Sequence, residues 1–122
     1  MTNAIGHFPR IKARIQILRS ARSKPLMGLN SGQYMPHIVM GDANQRKALK
    51  EPGTNNLTEE YLGVRFVAGP DVCDFDVDFE AEMLLMYFPN VDYSEVLPGK
   101  TFTLREGGTI IGFGSVLSRE DI

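Results

Sequence analysis

Thr101-Phe102-Thr103-Leu104-Arg105-Glu106-Gly107-Gly108-Thr109-Ile110-Ile111-Gly112-Phe113-Gly114-Ser115-Val116-Leu117 decides the fold. Two apolar runs flank a Gly-Gly pair. Glycine adopts positive φ at little steric cost, so Gly107 and Gly108 can fill both central positions of a tight turn, and the stretch reads as a β-hairpin. Thr103-Leu104 and Ile110-Ile111 leave this strand pair apolar on both faces at points. That suits strands packed on a core and also covered from outside.

Period-2 alternation recurs upstream. In residues 12–17 Ala13, Ile15 and Ile17 share one face. Residues 34–40 form a second strand candidate in which Pro36, lacking an N–H, must lie at the start or on an edge. Residues 61–67 point Leu62, Val64 and Phe66 one way. Asp74 to Tyr87 is the longest run: Phe75, Val77, Phe79, Ala81, Met83, Leu85 and Tyr87 oppose Asp74, Asp76, Asp78, Glu80 and Glu82. Its length allows one bent strand or two pieces around a break. The connectors are turn-rich, at 19–32, 89–92 and 97–100. Residues 41–60 form a long polar insertion, within which 44–50 reads as a short helix capped by Asp42. Several period-2 strands with few helical windows predict an all-β fold. A closed barrel is preferred to a sandwich because the last hairpin is apolar on both sides at points, although the pattern alone also allows a sandwich.

The 122 residues fit one domain, 1–122, able to bury about two-thirds of its unfolded surface. Hydrophobic content of 43% and charged content of 23% are ordinary for a soluble globular chain. No apolar run approaches the ~20 residues of a membrane span, and no secretion signal opens the chain. With Cys73 alone, no intrachain disulfide can form, and a reducing cytoplasm is the expected setting. The net charge of −2 hides a segregation of signs. Residues 1–41 carry Arg10, Lys12, Arg14, Arg19, Arg22 and Lys24 and no acid; residues 71–95 carry eight acids and no base. Either the two segments form faces of opposite potential, or they lie side by side and neutralise one another.

Catalytic and cofactor motifs are weak. Gly99-Lys100-Thr101 looks like the tail of a phosphate loop, but Ser94 stands where a glycine is required and a strand follows, so a turn is expected. Gly112-Phe113-Gly114 lacks the third glycine and helix of a dinucleotide fingerprint; its glycines suit close approach of a neighbouring strand. Asp74, Asp76 and Asp78 start like a calcium loop, yet Phe79 replaces its glycine and Leu85 its last glutamate. The acids read instead as a solvated or partner-facing stripe. Cys73 reads as a structural thiol, His7 as part of a flexible terminus, and His37 as a strand residue. No nucleotide, metal or other cofactor is expected.

Arg-Glu-Gly-Gly followed by a Gly-x-Gly strand resembles the closing hairpin of the C-terminal β-barrel domain of elongation factor Tu. Gly32-Gln33-Tyr34-Met35-Pro36-His37 is similar to the stretch that opens that barrel's second strand, residues 13–18 to its first strand, and 82–89 to a strand ending at proline. The resemblance implies a six-stranded antiparallel barrel that contacts protein partners and the T stem of tRNA. By motif position, Glu106 matches a T-stem contact, His37 falls near the same helix, and Arg105, Gly107 and Gly108 lie on the same hairpin. The family's nucleotide-binding domain and second barrel are absent from this sequence, and a polar insertion replaces its Thr-Thr-Asp run. GTP-dependent delivery of tRNA by this chain alone is therefore ruled out.

The expectation that follows is a non-enzymatic binding module gripping a protein partner through its surface loops and residues 105–109. The alternative is a tRNA or other RNA binder using Glu106, His37 and the basic residues Arg19, Arg22 and Lys24. Few aromatics interleave the basic segment and the pI is about 5.6, which weighs against a dedicated RNA binder. A small enzyme using the acidic stripe or Cys73 ranks last.

Overall fold

The computed structural model describes residues 8–121; His7 and the rest of the terminal stretch 1–7 lie outside the described residues, as does residue 122. The strands are β1 (Arg10–Ile17), β2 (Leu26–Met27), β3 (His37–Met40), β4 (Leu62–Ala68), β5 (Val72–Cys73), β6 (Phe79–Leu85), β7 (Thr101–Glu106) and β8 (Thr109–Glu120). Six of them close into an antiparallel barrel in the order β1-β6-β4-β3-β7-β8, with β8 returning to β1, while β2 and β5 form a small separate ribbon. The only helical segments among the described residues are single turns at Arg19–Ala21 and Leu29–Ser31. None of the described helices is long and apolar enough to cross a membrane.

Alternation dictates the core. Ile11, Ala13, Ile15 and Ile17 of β1 point inward to meet Val64, Phe66, Met83, Leu85, Phe102, Leu104 and Val116. Burying each large apolar side chain contributes about 1.5–3 kcal/mol relative to leaving it exposed. Since β1 and β6 run antiparallel, the connectors that follow them leave from opposite ends of the barrel. Leu26 and Leu29 from the first connector and Tyr93 and Val96 from the second join the core. The Tyr93 hydroxyl donates to the Gly63 carbonyl at 2.7 Å and accepts from the Tyr87 amide at 3.1 Å, so its polar tip is satisfied.

Closure needs glycine in β8. A Cβ at Gly112 would run into the Gln16 carbonyl oxygen, and one at Gly114 into that of Arg14. The close approach of β1 to β8 thus depends on missing side chains, as read from the Gly-Phe-Gly motif. At the hairpin tip Glu106 pairs with Thr109, and only Gly107 has positive φ, at 57°. This is the turn form that requires glycine at its first central position and not at both.

The segregated charges are neighbours. Lys12 lies opposite Glu82 and Arg14 opposite Glu80 in the β1–β6 register. Arg10 reaches Glu82 at 3.0 Å, Arg14 approaches Glu80 at 3.8 Å, and Gln16 donates to Asp78 at 2.8 Å. Exposed pairs of this kind contribute at most about 1 kcal/mol each. Their larger effect is on register, because a one-residue slip would turn the whole set away from its partners.

Three local expectations are decided or changed by the backbone. Of the two forms allowed for the run from Asp74 to Tyr87, the broken one is found: Asp76 sits at φ 60°, a left-handed conformation that aspartate tolerates better than most residues. Its amide donates to the Ile17 carbonyl at 2.8 Å, the chain turns, and β6 starts only at Phe79. Val77, expected inside, is 54% exposed, and Tyr87 lies beyond the strand with its ring over Gly63. The helix expected over 44–50 is absent. The Asp42 carboxylate accepts the Asn44 amide at 2.8 Å and its carbonyl accepts the Gln45 amide at 3.1 Å, but the turn stops there. The Leu49 amide is spent on Glu59 at 2.8 Å, and Lys50 bridges Leu57 as extended chain. The second strand candidate is shorter than read, starting at His37 after a buried Pro36, although the Tyr34 and Pro36 carbonyls still accept from Phe66 and Val64 of β4.

Candidate functional site

Residues 42–60 are a strap across the outer wall of β7 and β8, and this strap is the cover that the two-sided hairpin calls for. Arg46 lays its guanidinium 4.8 Å from the Phe113 ring centre and donates to the Ala43 and Gln45 carbonyls. At the far end, Glu59 meets Arg105. Arg105 Nη1 donates to Glu59 Oε1 at 2.9 Å and to the Tyr61 hydroxyl at 2.8 Å, Nη2 to Glu59 Oε2 at 3.1 Å, and Nε to Thr103 Oγ1 at 2.9 Å. The Glu59 carboxylate also accepts from the Leu49 amide and Gln45 Nε2. These bonds, those from Arg105 foremost, hold its carboxyl down to about 2.

Arg105 was expected to face a partner. It is instead fully buried, because β7 turns its side chain toward the strap and every nitrogen of the guanidinium is spent, Nη1 and Nη2 on Glu59 and Nε on Thr103 of the same strand. Glu106, expected at a solvated tip, is held by Arg22 through Nε and Nη2 at 3.1–3.2 Å and by the Tyr34 hydroxyl at 2.5 Å. Burial and, next, the bond to Glu106 push the Tyr34 phenol far above the ordinary range. Arg22 also donates to the Lys24 carbonyl, which folds the basic connector against the hairpin. Arg19 is exposed but engaged, lying 5.0 Å from the Phe75 ring centre and beside Asp76. His37 pairs with Arg105 in the β3–β7 register and sits edge-on to Tyr61 at 6.0 Å. Lys24, Gly107 and Gly108 remain exposed.

Strap, first connector and hairpin together enclose an open cleft of about 610 Å³. One wall is Leu18–Ala21, the second the strap at 46–50, the third the hairpin at 108–110. Leu18, Ala21, Ala48 and Ile110 make its lining apolar, Arg46, Lys47 and Lys50 give it positive charge, and among the described residues no carboxylate lines it. Neither lysine forms an ion pair among the described residues. On the same strap Leu49 is 58% and Leu57 40% exposed, and Leu57 lies against Gly108. Sequence reasoning placed Gly108 here and missed Lys47, Leu49, Lys50 and Leu57. Lys47, Leu49 and Lys50 fall in the mixed basic and apolar run 44–50 that reads as a helix, and Leu57 stands in the polar stretch after it.

The other chemistry candidates have structural places. Gly99, at φ 87°, and Lys100 form the turn that opens β7. Cys73 is buried in β5, where burial and then the Asp74 charge push its thiol up to about 11, far from a reactive thiolate. Asp76, Asp78, Glu80 and Glu82 face basic or amide groups of β1 and its connector. Among the described residues no group of three or more His, Cys, Asp or Glu is arranged to hold a metal.

What the fold defines is a class: a small all-β protein built as a closed six-stranded barrel with a strapped outer wall. No protein-family model matches the chain, and no curated protein matches it.

Proposed function

We propose that this chain is a non-enzymatic binding module, with a barrel of the kind that closes elongation factor Tu, and that it engages a protein partner through its surface loops at the hairpin. The observation that carries the reading is the three-walled cleft. Its strap wall comes from the insertion that departs from the family pattern, and its lining combines unpaired cations with apolar surface. Exposed apolar side chains rimmed by charge are what a protein interface requires.

Recognition of RNA is the alternative; of its expected basic contacts it keeps Lys24, and Lys47 and Lys50 join as further phosphate contacts. It loses much of its expected set. Glu106 and Arg22 satisfy each other, Arg19 is beside Asp76, and Arg10 and Arg14 lie on Glu82 and Glu80. Among the described residues no aromatic side chain on which a base could stack lines the cleft.

Immobilised protein and its Lys47→Glu/Lys50→Glu variant, exposed to the same cell lysate, separate the readings. A protein retained by the first and lost from the second supports the proposal. A tRNA acceptor–T-stem minihelix should bind feebly at both ~50 and ~200 mM salt; tight binding that collapses over that range would replace the protein reading with the RNA one.

A further inference from the structure

We infer that the cleft takes an extended acidic segment of the partner protein, its carboxylates on Lys47 and Lys50 and its apolar side chains against Leu18, Ala21, Ala48 and Ile110, with Leu49 and Leu57 exposed on the same strap outside the lining. This rests on the binding-module reading and names the chemistry of what is bound. Charge complementarity is the main argument: among the described residues, two exposed ammonium groups have no acid partner, and they edge a cleft lined by no carboxylate. The apolar lining and the two exposed leucines call for a ligand with alternating character, which a simple anion lacks. A volume of about 610 Å³, open along one side, lies in the range that holds a short stretch of chain.

The wall is also prepared in advance. Arg46 is fixed over Phe113 and bonded to two strap carbonyls, and Glu59 is clasped by Arg105, so little ordering of the strap remains for binding to accomplish. Lysines act as point charges and suit scattered carboxylates, whereas planar bidentate capture of phosphate favours a free arginine fork. Arg46, the one arginine in the lining among the described residues, already spends Nη1 on the strap.

The test uses a fluorescein-labelled peptide in which Glu and Leu are spaced by Ser and Gly, and a twin with Gln for Glu, titrated against the full chain by fluorescence polarisation. The Glu peptide is expected to bind at least about tenfold more tightly than its twin. Lys47→Glu/Lys50→Glu should weaken it about tenfold or more, while Lys47→Arg/Lys50→Arg retains it; both are surface changes, and unchanged thermal unfolding verifies their folding. Equal binding of the two peptides, or binding indifferent to the charge reversal, overturns the inference. Should the Glu peptide fail while a lysate protein is still lost from the charge-reversed variant, the acidic segment is refuted and the binding-module reading stands. Should the peptide bind in a cleft-dependent way while no lysate protein is retained, the acidic chemistry of the cleft is supported and engagement of a whole-protein partner in that lysate is refuted.

Discussion

Arg105 and Glu59, 46 residues apart in sequence, are joined by two parallel hydrogen bonds of 2.9 and 3.1 Å, with the arginine fully buried. A planar guanidinium matched to a carboxylate in this way fixes geometry as well as charge. The pair is the point at which the strap is fastened to the barrel, and so the point at which one wall of the cleft is held.

Removing one member should cost far more than removing both. Arg105→Ala leaves the Glu59 carboxylate without its cation and is expected to lower stability by about 3–5 kcal/mol. Replacing the pair together, Arg105→Met with Glu59→Leu, should cost much less, because no uncompensated charge stays buried. Urea unfolding of the three proteins checks this; equal losses would refute the clasp.

Acid should loosen the same point. The Glu59 carboxyl lies at about 2 in the folded chain against an ordinary value of 4.5, so its stabilisation is complete above about pH 4.5 and is lost as pH falls toward 2. The effect is on the order of 3 kcal/mol across that window. Glu59→Gln is expected to flatten the pH dependence of the urea midpoint between pH 5 and pH 2. A slope unchanged by the substitution would assign the acid sensitivity elsewhere.

At the alkaline end, Tyr34 should ionise last of the tyrosines. Burial and the carboxylate of Glu106 both disfavour the phenolate, so the stabilisation from the neutral phenol holds below about pH 10 and is lost only at higher pH, as the unfolded chain ionises first. Absorbance titration of Tyr34→Phe should lack the latest step of the wild-type curve. Loss of an early step instead would contradict the Tyr34–Glu106 bond.

Barrel closure predicts a sharp contrast among small substitutions. Gly112→Ala and Gly114→Ala each drive a methyl group into a β1 carbonyl and should cost roughly 2–4 kcal/mol, if the variants fold. Ser115→Ala, between the same strands but without that clash, should change stability by less than about 1 kcal/mol. Comparable midpoints in guanidinium for all three would mean that β8 does not press on β1.

Thiol chemistry offers a last check. Cys73 is buried and its thiol is shifted up to about 11. Labelling by a disulfide reagent at pH 8 should be at least about a hundredfold slower than in urea-unfolded chain. Fast native labelling would open the question of a reactive role.

Much of the barrel was legible because alternation and turn chemistry are local. Ala13, Ile15 and Ile17 needed only a period of two, and Glu106-Gly107-Gly108-Thr109 only the steric freedom of glycine. Where alternation ran on past the strand it misled. Val77 and Tyr87 carry the pattern, but the left-handed backbone at Asp76 and the end of β6 at Leu85 remove them from the wall. Pairing across long separations left no local trace. Nothing near Arg105 points to Glu59, and nothing near Glu106 points to Arg22 or Tyr34, so residues read as outward contacts are inward ties. Tyr93 and Val96 lie in a turn-rich connector and look exposed until the barrel end that they cover exists. The cleft was hidden for the same reason: its three walls come from three distant segments, and the strap lysines acquire meaning only when the clasp sets them beside the hairpin.

The first strand is wedged between β6 and β8: Arg10 lies opposite Leu84 on one side and Glu120 on the other. During synthesis, therefore, β1 leaves the ribosome with neither neighbour yet made, its alternating isoleucines open to water. The cylinder shuts only after β8 has emerged, so nascent chains must wait, and a cell making this protein quickly has reason to shield residues 11–17 in the interval.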